Sequence, residues 1–114
     1  MDRKLPVNEE IRYKLLKILD QNPSISQREL SRELGVSVGK VNYCMQALKE
    51  RGLVKARNFK NNPNKKGYLY VLTPKGIEEK AYVAKNFLKH KLTEFNQIQQ
   101  EIESLKKEVM DHKE

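Results

Sequence analysis

The sequence is short of most things that would point to chemistry. Its single cysteine, Cys44, excludes an internal disulfide and fits a reducing compartment. No stretch approaches the ~20 apolar residues a membrane span needs. The opening MDRKLPVNEE has no signal-peptide apolar run, so a cytoplasmic protein is expected. The 5 glycines form no nucleotide-binding loop. His90 and His112 stand far apart without the spacing of metal ligands. Serines and carboxylates are plentiful but gather around no base. No metal, no cofactor and no catalytic residue is therefore expected, and an enzyme is not the reading. Aromatics are only 7% and charged residues 33% of the chain, yet its apolar residues recur periodically, which disorder does not show. At 114 residues it can hold one compact domain plus an extension.

What is present is positive charge, unevenly spread. Residues 1–76 hold 16 Lys/Arg against 7 Asp/Glu, a balance of +9, whereas residues 77–114 hold 7 against 8, a balance of −1. Within the first part, residues 37–66 carry 8 basic side chains and only Glu50 as an acid. A basic block beside a neutral tail suits a phosphate-binding surface.

The elements can be read in order. Asn8 caps a first helix, EEIRYKLLKILDQN, with Ile11, Leu15, Ile18 and Leu19 on one face, Leu16 beside it, and Glu9 and Glu10 in the favourable first turn. Pro23 closes it. Ser26-Gln27-Arg28-Glu29 is a capping box, opening a second helix that turns Leu30 and Leu34 inward and stops at Gly35. Ser37 caps a third helix, which Gly52 ends. Steps of about 100° put Val38, Val41, Met45 and Leu48 on its apolar side, flanked by Cys44. Gly39, Lys40, Tyr43 and Gln46 fall opposite, with Asn42 near the margin. Two short helices joined by a tight glycine-containing turn make a helix-turn-helix. LVKARNF and GYLYVLT then read as strands around an exposed turn, KNNPNKK, and a hairpin placed there is a wing.

Thr73-Pro74 opens a last helix, with Pro at the first helical position. No proline or glycine follows Gly76, so the remainder can form a rod nearly 60 Å long at about 1.5 Å per residue. The rod has a heptad register. Ala81, Leu88, Phe95, Ile102 and Val109 fall at a; Ile77, Ala84, Ile98, Leu105 and His112 fall at d. Lys91 interrupts the d positions and Leu92 stands beside it. Such a seam asks for a helical partner, taken here as a second copy of the chain. Glu101 and Glu108 at g with Lys106 and Lys113 at e favour a parallel pair. The expected fold is mainly α with a small β-hairpin. A winged helix-turn-helix DNA-binding domain occupies 1–76 and a C-terminal coiled-coil dimerisation helix 77–114. The dimer contacts are Leu88, Leu92, Phe95, Ile98, Ile102, Leu105 and Val109.

The stretch ISQRELSRELGVSVGKVNYCMQALKERGLV, the wing, and YLYVLTPKGIEEKA resemble the MarR-type winged helix-turn-helix regulators. More narrowly, the NYC stretch with FKNNPNK and LTPKG looks like the small MarR-family regulators associated with exopolysaccharide (EPS) gene clusters, a likeness covering about residues 10–105. The resemblance implies a bacterial, nucleoid-associated transcriptional regulator acting near polysaccharide biosynthesis genes. MarR proteins are longer, with extra terminal helices that frame a small-molecule pocket, so the likeness does not carry an effector over to this chain.

In this reading the partner is double-stranded DNA, bound by a homodimer on a pseudo-palindromic site. Gly39, Lys40, Asn42, Tyr43 and Gln46 of the third helix meet base edges. Asn and Gln can pair two-pronged with adenine, and Lys can donate to guanine. Ser26, Gln27, Arg28 and Ser37 hold phosphates at helix starts. Arg57, Asn58, Lys60, Asn62, Lys65 and Lys66 make the wing's contacts. The alternative is a winged-helix adaptor that recruits a protein through the coiled coil. Cys44 reads as a small buried apolar residue rather than a redox sensor.

Overall fold

A computed structural model describes residues 7–58 and 68–112. The expected turn at 60–66, and with it Lys60, Asn62, Lys65 and Lys66, lies outside the described residues, as does Lys113.

The order is α1 (Glu9–Gln21), α2 (Gln27–Leu34), α3 (Val38–Glu50), β1 (Val54–Asn58), β2 (Tyr68–Leu72) and α4 (Pro74–Asp111). Each helix start carries the cap that its sequence announced. Asn8 Oδ1 accepts from the Ile11 amide at 2.8 Å, and Ser37 Oγ from the Lys40 amide at 3.1 Å. The Ser26–Glu29 box is closed in both directions, at 3.1 and 3.3 Å. Each such cap satisfies an amide that the first turn leaves without a helical partner. Gly35 ends α2 at φ +70° and Gly52 follows α3 at φ +71°, a region that costs glycine nothing. The Ser31 hydroxyl donates to the Val36 carbonyl and fastens the turn between α2 and α3.

β1 and β2 pair antiparallel, from Val54 opposite Leu72 to Asn58 opposite Tyr68. The Tyr70 amide donates to the Pro23 carbonyl at 3.0 Å, which ties the wing to the segment between α1 and α2.

One core joins these elements: Leu15, Leu16 and Leu19 from α1, Ile25, Leu30 and Leu34, then Val41, Cys44, Met45 and Leu48 from α3. Leu53, Val54 and Leu72 add the wing's base, and Val83 comes from α4. No polar or charged residue is buried among the described residues. Ile11 and Ile18, expected on one face of α1 with Leu15 and Leu19, are half-buried and pack against this core. Val38 departs from expectation. It is 45% exposed rather than part of the apolar side of α3. It sits on the first turn, at the edge of the apolar arc, and Val36 of the preceding turn packs against the core instead.

α4 has two halves with different surroundings. The first packs antiparallel on α1, through Val83, a stack of Tyr13 on Phe87 with centroids 5.7 Å apart, and pairs of Arg12 with Glu79 and Asp20 with Lys80. The Glu9 carboxylate meets His90 at 3.2 Å near the end of that contact. From Leu88 to His112 every residue is exposed, and the molecule extends to 71 Å. The expected division at 76/77 falls inside α4, and Val83 beyond it belongs to the core. No helix among the described residues is long and apolar enough to cross a membrane.

Candidate nucleic-acid interface

α3 is held by four buried side chains on one side, Val41, Cys44, Met45 and Leu48. That anchoring fixes what the other side presents. Gly39, Lys40, Asn42, Tyr43 and Gln46 are all exposed, with Tyr43 at 63%. They span the first two and a half turns, and Val38 lies on the same outer surface one turn before Asn42. Sequence periodicity missed Val38. Its place at the very start of the helix, where no neighbouring turn covers it, was the available signal.

The start of α2 lies beside this surface. Gln27 Nε2 donates to Asn42 Oδ1 at 3.4 Å and to the Tyr70 hydroxyl at 3.5 Å. One half-buried side chain of α2 thus touches the outer face of α3 and a wing strand together. Ser26 and Arg28 flank it and are exposed. Ser26 Oγ and Ser37 Oγ each already accept from an amide of their own first turn. Tyr70 was not expected at this site, and nothing local in β2 marks it. Arg57 is exposed on β1, and Asn58 ends that strand. The site as described therefore brings together Ser26–Arg28, the outer face of α3 and Tyr70, with Arg57 on the adjoining strand.

Cys44 lies beneath this surface, at the core side of α3. Burial pushes its thiol above the ordinary 9.0, and Lys40 opposes that only in part. A buried thiol that resists ionisation is a poor nucleophile. Among the described residues no group of three or more His, Cys, Asp or Glu could hold a metal ion.

The seven residues expected at the seam, Leu88, Leu92, Phe95, Ile98, Ile102, Leu105 and Val109, are all exposed on α4, and Val109 reaches 72%. Lys91, which interrupts that seam, is drawn aside. Its ammonium is 3.2 Å from Glu94 and 5.2 Å from the centre of the Phe87 ring.

Comparison with known proteins agrees with this geometry. Residues 8–55 match the family described as winged helix-turn-helix DNA-binding. Over 77 residues the chain is 34% identical to the HTH-type transcriptional regulator Ptr1 of Methanocaldococcus jannaschii, which covers 62% of this chain and 52% of that protein. The chain thus spans about half the length of this curated relative. Among solved structures, the PcaV transcriptional regulator from Streptomyces coelicolor superposes with a TM-score of 0.65 at 18% identity, covering 89% of this chain and 76% of that one. The transcriptional repressor CouR bound to a 23-mer DNA duplex superposes at 0.60 with 23% identity, covering 86% and 71%. The fold is a winged helix-turn-helix followed by a long C-terminal helix, the architecture of the transcriptional regulators on which it superposes.

Proposed function

We propose that the chain is a transcriptional regulator that binds double-stranded DNA sequence-specifically, as a parallel homodimer. The observation that carries this is the outer face of α3. Five polar or glycine positions stand exposed along its first turns, on a helix whose other side is locked into an apolar core. A helix fixed in this way can enter the major groove without losing its own packing. Lys40 would donate to guanine acceptors and Gln46 would pair two-pronged with adenine, with Gly39 allowing close approach and Tyr43 reaching the groove wall. Arg28, Arg57 and the basic residues of the wing would neutralise phosphates, with the Ser26 hydroxyl donating to one, and the +7 balance of residues 37–66 supports that role. Residues 1–76 would carry the DNA contacts and 77–114 the dimer.

The dimer reading rests on the exposed apolar stripe of α4 and its heptad spacing. Its charges would select the parallel orientation, each pair contributing only about 0.2–1 kcal/mol. Two heads on such a rod would read a pseudo-palindromic operator. The narrower resemblance of NYC, FKNNPNK and LTPKG supports exopolysaccharide biosynthesis genes as the target.

Fluorescence titration of the full chain with random duplex at two salt concentrations tests the function. Binding that weakens steeply with salt is expected. Weak binding with a shallow salt dependence would replace this reading with that of a protein-recruiting adaptor.

A further inference from the structure

We propose that Val38 and Asn42 together read a thymine, and that Gln27 is the residue that positions them to do so. The inference rests on the DNA-binding reading above and names one of the bases that α3 meets.

Asn42 has two ends, a carbonyl oxygen that accepts and an amide nitrogen that donates. The donation from Gln27 Nε2 to Asn42 Oδ1, at 3.4 Å, turns the oxygen toward α2. That leaves Nδ2, a donor, as the end available to a base. A two-pronged pairing with adenine needs the oxygen as well, so the Asn42 amide is set for a base that offers an acceptor. Gln27 is in turn held by Tyr70 of the wing at 3.5 Å, so the setting draws on three elements at once.

Val38 supplies the second half. It stands four residues before Asn42, and residues at that spacing are neighbours on a helix surface, about 5–6 Å apart at Cβ. It is 45% exposed, with its branched methyl groups outside the core. The two residues therefore present a donor beside an apolar patch. In the major groove thymine shows the complement, the O4 acceptor adjoining the C5 methyl. Guanine offers acceptors without a methyl group, and cytosine offers a donor at the corresponding place.

The test uses the full chain. A random duplex pool is selected for binding, and each thymine of the recovered half-site is then replaced by deoxyuridine, which keeps O4 and lacks the methyl. One thymine per half-site is expected at which the replacement weakens binding about fourfold, the worth of one buried carbon. Val38→Ala should be insensitive to that same replacement. Gln27→Glu, which can only accept, should reverse the Asn42 amide and shift preference at that position toward a base with an exocyclic amine. A purely structural role for Gln27 would weaken all sequences alike without shifting the preferred base. Thermal unfolding of each variant checks that it folds. Harmless deoxyuridine at every position, or equal sensitivity in the natural chain and Val38→Ala, overturns the inference while leaving DNA binding intact. If no duplex is selected at all, the regulator reading falls and this inference falls with it.

Discussion

Gly76, on the first turn of α4, lies directly against the backbone carbonyl of Leu53. A Cβ built on Gly76 would stand 2.0 Å from that oxygen and 3.0 Å from its carbon. Thr73 tightens the same junction, its hydroxyl donating to the Gly52 carbonyl at 2.6 Å and accepting from the Gly76 amide at 3.0 Å. The start of the long helix is thereby fixed against the end of α3 and the base of the wing. The direction in which the rod leaves the head is set by this contact as well as by the packing of α1 on α4.

Gly76→Ala should destabilise the protein severely, because the opposing atoms are backbone and cannot swing aside. Overpacking of this kind costs about 3 kcal/mol. Urea unfolding followed by circular dichroism should show the midpoint fall. A midpoint unchanged within error would mean that α4 can move off Leu53 at no cost.

Substituting one seam residue should separate the two copies. Leu105 is exposed and belongs to the stripe that no part of this chain covers among the described residues. Sedimentation at micromolar concentration should give a dimer for the natural chain and a monomer for Leu105→Asp. A natural chain that sediments as a monomer removes the dimer from the proposal.

Specificity and affinity should divide between α3 and the wing. Gln46→Ala should cost about 1–3 kcal/mol on the selected site and relax preference at one base pair. Arg57→Ala should weaken all sequences together and lower the salt slope by about one. Equal loss of specific and non-specific binding in both variants would contradict that division.

The Cys44 thiol should be slow to react with alkylating reagents while the protein is folded and should react freely in urea. Burial raises its pKa above that of the unfolded chain, with Lys40 pulling the other way. The folded state therefore holds the proton more tightly. The stability linked to it is whole below the unfolded thiol's pKa and is lost as pH rises through the folded value. Unfolding midpoints measured upward from neutral pH should decline in the alkaline range, and less steeply in Cys44→Ala. Rapid labelling of the native protein would mean that α3 opens readily.

What the sequence determined by itself was local. Asn8, Ser26, Ser37 and Thr73 each cap a helix by reaching an amide three residues on, and those contacts are complete within a single turn. The left-handed glycines 35 and 52, the pairing of two β-rich runs and the periodic stripe of α4 are legible for the same reason: spacing along the chain sets them. The exposed face of α3 could be read too, except at its edge. Whether Val38 turned inward depended on what the preceding turn placed beside it, which periodicity does not contain. Gln27, read as a phosphate contact, also meets residues 15 and 43 positions away in the chain, and only folding could bring Asn42 and Tyr70 to it. Gly76 was visible as the last glycine of the chain, but its reason was not. That reason is a carbonyl 23 residues earlier, brought within bonding reach of where a side chain would begin, and only the packing of α4 on the wing's base put it there.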